Sequence, residues 1–142
     1  MQNNNVLEML CVRFALRIIK LYNYLKKEKG EYVMSKQVYR SGTSIGANVA
    51  ESKAAQSDAD FISKLSIALK EANETKYWLL LLHESCILDD DKAYDSIVND
   101  LNTIIGTLVI VLKKVKGVQN TPPSGTIPPP SGTIPPPSGT IH

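Results

Sequence analysis

The stretch 40–78, RSGTSIGANVAESKAAQSDADFISKLSIALKEANETKYW, decides how this chain folds. In its second half Phe61, Leu65, Ala68, Ala72 and Thr75 recur at alternating spacings of four and three, and Leu79, Leu82 and Cys86 carry the series on. That period puts them on one seam of a long helix and excludes a strand, whose side chains repeat every second residue. Ser57 with Asp60 three residues on resembles a capping box, and Asp58 and Asp60 suit the positive end of a helix dipole. The helix is therefore predicted to begin near residue 58 and to run to about Leu88.

The first half of the stretch is of another kind. Gly42, Gly46, Ala50 and Ala54 fall every fourth residue, interleaved with Ser41, Thr43, Ser44 and Ala47, so one side carries almost no bulk. Ser-Gly-Thr-Ser also fits a turn. A helix is the better reading because Ile45 and Val49 continue an apolar spacing from Val38. Glycine costs about 1 kcal/mol relative to alanine inside a helix. Close approach of another helix backbone, or of a partner subunit, is the expected compensation, as small-residue spacing provides in membrane helices.

RSGTSIGANVAES followed by DFISKLSIALKEANETKYWLLLL resembles the small four-helix-bundle proteins encoded by intervening sequences in 23S ribosomal RNA genes, a family sometimes labelled as ribosomal proteins. The similarity spans roughly 6–116. It implies an all-α, antiparallel up-and-down four-helix bundle, assembled as a ring-like homopentamer. It also implies kinship with the accessory variability proteins of diversity-generating retroelements, basic pentamers that bind nucleic acid and a reverse transcriptase.

A length of 142 residues fits one domain with a genuine core, and 43% hydrophobic with 21% charged residues is ordinary for a soluble globular protein. A net charge of +2 decides nothing by itself. Cys11 and Cys86 fall at opposite ends of an up-and-down bundle, too far apart for a disulfide, and reduced thiols suit a cytoplasmic protein. No signal peptide is apparent in MQNNNVLEMLCVRF, and no uninterrupted apolar run approaches the ~20 residues that span a bilayer.

A first helix is predicted over about 6–29, its seam formed by Leu7, Cys11, Phe14, Ile18, Leu21 and Leu25. Beside the seam runs a second stripe, Arg13, Arg17, Lys20, Tyr24 and Lys27. Basic groups interleaved with a tyrosine can neutralise phosphates and stack a base. A solvated flank or a subunit contact is the competing reading. After a turn at Gly30, Ser35 is the expected N-cap of the second helix.

Glu71 and Glu74 share one helical face, yet no Glu-x-x-His pair accompanies them and His83 is the single histidine outside the C-terminal segment. No metal site and no cofactor are expected. Arg40 or Lys53 is expected to meet Glu71 or Glu74 as a register-fixing ion pair, with Glu51 on the same helix. Tyr77 and Trp78 open a segment, 77–82, that is apolar all round, hence predicted to be buried on every side and to call for a partner subunit. Asp89, Asp90 and Asp91 start a fourth helix reaching about Lys116, where Lys113, Lys114 and Lys116 either complement the dipole or extend a basic surface.

From Gln119 the composition changes. TPPSGTIPPPSGTIPPPSGTIH repeats with a period of seven and holds all 8 prolines. The chain thus divides into a bundle, 1–118, and a tail, 119–142, expected to be disordered with polyproline character. No Ser-His-Asp or Cys-His set can be assembled, and GTSIG lacks the lysine and spacing of a phosphate loop. The sequence reads as a non-enzymatic, oligomeric accessory protein that binds ribosomal or other structured nucleic acid and no membrane. The alternative is a protein-interaction scaffold, such as a reverse-transcriptase or ribosome-associated subunit, without nucleic-acid contact.

Overall fold

The computed structural model describes residues 2–119, with side chains from 5 to 117. Four helices follow one another: α1 (Gln2–Lys29), α2 (Met34–Ser52), α3 (Asp58–Glu84) and α4 (Asp91–Gln119). Each touches its two neighbours around a square, α1 against α2 and α4, α3 against α2 and α4, while the diagonal pairs make no close backbone approach among the described residues. Residue numbers run in opposite senses across these contacts. Lys53 meets Glu8 where Tyr39 meets Tyr22, Lys64 meets Glu51 where Arg40 meets Glu74, and Lys29 meets Asp89 where Arg17 meets Asp100.

The seams close on a common core of Phe14, Ile18, Ile45, Leu65, Leu79, Leu101, Ile104 and Leu108, all buried. Between α1 and α2 the packing is tightest at glycine. A Cβ on Gly42 would lie 2.8 Å from Cγ1 of Ile18, and one on Gly46 would lie 3.1 Å from Cβ of Cys11. Absent bulk on α2 thus admits α1 of the same chain, and its small-residue face is filled from within at these two positions.

The helix ends differ from expectation in three places. Helix α3 stops at Glu84, not near Leu88, and Cys86 leaves the seam to sit exposed at φ 66°. Ser85 is the C-cap, the Cys86 N–H returns to the His83 carbonyl and the Ile87 N–H to the Leu82 carbonyl, a Schellman arrangement in which Cys86 holds the place usual for glycine. An L-residue there costs roughly 1–2 kcal/mol. Cys86→Gly is therefore expected to raise stability by about 1 kcal/mol in a urea titration, with an unchanged slope.

Ser35 does not cap α2. It is buried one residue inside the helix, donating its hydroxyl to the Glu31 carbonyl at 2.9 Å. The capping group is the Glu31 side chain, which accepts from the backbone N–H groups of Val33 (3.1 Å), Met34 (2.9 Å) and Ser35 (2.7 Å). Partial burial works against the charged carboxylate, but these N–H donors outweigh it and hold the acid below its ordinary 4.5. A carboxyl whose folded value is depressed stabilises the fold above its unfolded value, and that stability is lost as pH falls through the folded value. Glu31→Ala should cost about 1 kcal/mol at neutral pH, with the difference from the parent vanishing well below pH 4.5 in acid titrations of unfolding.

At α3's start Ser57 accepts from the Asp60 N–H at 3.0 Å, while the Asp60 carboxylate reaches back to the Gln56 N–H, one residue beyond the usual box. Helix α4 combines length and apolar content sufficient, by those criteria alone, to cross a membrane, although its apolar residues are interleaved with polar ones and form no single run. Leu101, Ile104, Leu108 and Leu112 of that helix are buried in the bundle. The heptad-repeat tail lies outside the described residues.

Candidate nucleic-acid interface

Arg13, Arg17, Lys20, Tyr24 and Lys27 occupy the flank of α1 that borders α4, because spacings of three and four keep them on one side of the helix. Arg17 Nη1 lies 2.7 Å from Asp100 Oδ2 on α4, a half-exposed pair. Arg13, Arg17 and Lys20 line an open cleft with Leu16 and Asp100. Arg13, Lys20 and Lys27 are exposed and, among the described residues, have no ion-pair partner. Tyr24 presents an exposed ring in the same row. The stripe therefore keeps most of its charge available to an anionic partner.

The lysines at the end of α4 are not gathered onto that stripe. All three are exposed. Lys114 stands fourteen residues after Asp100, four helical turns, and so shares the α1-facing side, whereas Lys113 and Lys116 turn away from it. At the other end of α1, Lys29 reaches Asp89 at 3.2 Å and its pKa is raised chiefly by that hydrogen bond. Lys26 covers the Tyr22 ring at 4.2 Å. Basic groups at this end are thus partly spoken for by the acidic turn before α4.

On the opposite side of α2 an ion network ties it to α3. Arg40 contacts Glu71 Oε1 at 3.3 Å, Glu74 Oε2 more closely still, and Gln37 Oε1 at 3.3 Å, while Trp78 Nε1 donates to the same Glu74 oxygen at 3.2 Å. Beneath it the buried Ser41 hydroxyl donates to the Gln37 carbonyl and accepts from Thr75 at 2.9 Å. Lys53 takes no part, since it meets Glu8 of α1 at 2.7 Å and Asn5 at 3.0 Å. Glu51 pairs with Lys64 at 3.2 Å. The carboxylates of Glu71 and Glu74 therefore serve packing, and among the described residues no cluster of His, Cys, Asp and Glu is arranged to hold a metal ion.

Tyr77 and Leu80 are not buried on every side. Of that segment Leu79 and Leu82 are buried in the core and Trp78 packs partly buried against it; Tyr77 is 54% and Leu80 43% exposed, because a helix at the corner of a square must turn some of its surface outward. Ala50 is exposed as well, at the rim of a groove between α2 and α1.

Two features escaped sequence reasoning. Met9, Val12, Leu16 and Ile19 form an exposed apolar ridge along α1, and their three-and-four spacing was a readable signal masked by the stronger seam. His83 joins α3 to α4, its Nε2 2.8 Å from Asp91 and its ring stacked on Tyr94 with centroids 4.0 Å apart. The Asp91 hydrogen bond is the main influence raising its pKa.

Four packed helices with no strand among the described residues define an all-α bundle protein. The chain belongs to the family of 23S rRNA-intervening sequence proteins, whose family model matches residues 4–109. A crystal structure of a protein of unknown function from the S23 ribosomal protein family of Bacteroides thetaiotaomicron is similar: 51% identical, covering 78% of this chain and 98% of that one, with a TM-score of 0.76. No curated protein matches the chain.

Proposed function

We propose that this chain is a non-enzymatic accessory protein that binds structured RNA along the α1 flank and acts as a homo-oligomer, the ring of five that the family resemblance implies. The observation that carries the RNA reading is the row of Arg13, Lys20 and Lys27, exposed and without an ion-pair partner among the described residues, beside Arg17 and Tyr24. Membership of a family named for intervening sequences in ribosomal RNA favours an RNA partner over an acidic protein. Apolar Tyr77, Leu80 and Ile67, exposed on α3, support contact with further copies. Two free thiols suit the reducing cytoplasm.

The test is an electrophoretic shift with ribosomal RNA fragments at two salt concentrations. With about three phosphates neutralised, affinity should fall roughly fortyfold between about 50 and 200 mM salt. Arg13→Glu combined with Lys20→Glu should abolish the shift while leaving the helical circular dichroism intact, since both side chains are exposed. Undiminished binding by that variant would remove α1 as the site. Absence of any salt-sensitive binding would leave the scaffold reading.

A further inference from the structure

We infer that His83 is a pH-sensitive clasp on the α3–α4 turn, residues 85–90: as an imidazolium it holds the turn closed onto the head of α4, and as a neutral imidazole it lets the turn open. His83 stands in the last turn of α3 and is the single imidazole among the described residues. Its Nε2 lies 2.8 Å from Asp91 Oδ1 at the start of α4, and its Nδ1 lies 3.7 Å from Glu84 Oε2 on its own helix. The ring lies flat on that of Tyr94 of α4, with centroids 4.0 Å apart and planes 10° from parallel. Nδ1 is buried, and among the described residues it is the one buried side-chain nitrogen or oxygen without a hydrogen-bond partner.

A neutral imidazole carries one N–H and one lone pair. With its proton on Nε2 the Asp91 bond is kept, but the Nδ1 lone pair is buried facing the Glu84 carboxylate. With its proton on Nδ1, the Nε2 lone pair confronts Asp91 at hydrogen-bond distance, acceptor against acceptor. Only the imidazolium turns a donor toward each carboxylate. At 3.7 Å the Glu84 contact is an ionic attraction, too long for a hydrogen bond. A cation on the face of Tyr94 is favoured as well.

The Asp91 hydrogen bond accordingly raises the imidazole above its ordinary 6.5, against a smaller opposing effect of burial. Asp91 and Glu84 are the charged groups that bear on it. The Tyr94 phenol, pushed up by partial burial and then by Glu84 and Asp95, stays neutral over the histidine's range. At the same end of the bundle Lys29 of α1 is engaged by Asp89, and the Glu31 carboxylate ahead of α2 by backbone N–H groups. Because the folded value is raised, the clasp's stability is fully present below the unfolded value and is lost as pH rises through the folded one.

The backbone of the turn is set to respond. Cys86 holds φ 66°, a conformation unfavourable for an L-residue, while the N–H groups of Ile87 and Leu88 both return to the Leu82 carbonyl, at 3.1 and 2.9 Å. At the far end Asp90 accepts from the Ala93 N–H at 3.0 Å and so belongs to α4. The His83 contact with Asp91 therefore ties the two helix ends directly across this strained segment.

The test uses the full chain with His142→Gln, which leaves His83 as its one imidazole. Its ring protons, followed by NMR, should titrate with a midpoint above 6.5, and Asp91→Asn should lower that midpoint more than Glu84→Gln does. Amide exchange at Ile87 and Leu88, corrected for intrinsic rates, should lose protection as pH rises through the same midpoint. The loss should be about tenfold for each pH unit by which the midpoint exceeds 6.5, since one linkage sets both. His83→Gln, which cannot carry the charge, should leave the turn weakly protected at every pH. A midpoint at or below 6.5, or protection that stays constant across the titration, overturns the inference. An equal loss at amides in the middle of α1 would report loosening of the whole bundle and overturn it too.

Discussion

Replacing Gly42 by alanine is expected to destabilise the bundle by about 1 to 2 kcal/mol, even though alanine is the better helix former by about 1 kcal/mol. The new Cβ would stand 2.8 Å from Cγ1 and 3.1 Å from Cγ2 of Ile18, both close to the branch point of a fully buried side chain. Both carbons are bonded directly to the Ile18 Cβ and move only if the whole branched side chain turns in its packed site, so α1 and α2 must part. Gly106 supplies the opposite case. It lies exposed within α4 with nothing near the added carbon, so Gly106→Ala should stabilise by about 1 kcal/mol. Urea titrations of the two variants should therefore shift in opposite directions. A neutral or stabilising Gly42→Ala would refute the close approach. Gly42→Val should be worse, by about 3 kcal/mol in total.

Removing Arg40 should cost about 2 kcal/mol, because two carboxylates on one face of α3 would then confront each other without their cation. Glu71 is the more protected, its side chain 14% exposed, while Arg40 is itself 48% exposed and its contribution is correspondingly screened. Arg40→Ala is expected to perturb the emission of the protein's one tryptophan as well, since Trp78 bonds the Glu74 oxygen that Arg40 holds. Pairing Arg40→Ala with Glu74→Gln in a double-mutant cycle should show the two changes to be far from additive. The exposed Lys29 pair with Asp89 provides the contrast, and Lys29→Ala should change stability by less than about 0.5 kcal/mol. Equal effects from the two lysine and arginine changes would mean that the α2/α3 network adds no more than a surface pair.

Helix content was legible because the apolar seams repeat with helical period: Leu65, Ala68, Ala72, Thr75, Leu79 and Leu82 are all buried on α3. The seam misled only at its end. Cys86 fits the period arithmetically, but a helix stops where backbone hydrogen bonding changes partner, and Leu82 gives its carbonyl to the turn. Ser35 misled for a related reason. A short hydroxyl residue is the usual cap, yet a glutamate placed ahead of the helix can reach three N–H groups at once. Of the basic residues, the α1 stripe followed from local spacing alone, whereas the neutralisation of Arg17 by Asp100 joins positions 83 apart and no local pattern announces it.

By itself the sequence determined the number and type of helices, the faces they bury, and the family to which the chain belongs, because periodicity and a long motif are properties of neighbouring residues. Only tertiary packing decided that Gly42 and Gly46 admit α1 of the same chain, that Lys53 goes to Glu8 while Arg40 takes both Glu71 and Glu74, and that Met9, Val12 and Leu16 stay outside. Each of those outcomes depends on which helices become neighbours around the square. Burial and charge pairing act through space, and the order of the residues along the chain does not record the distances between them.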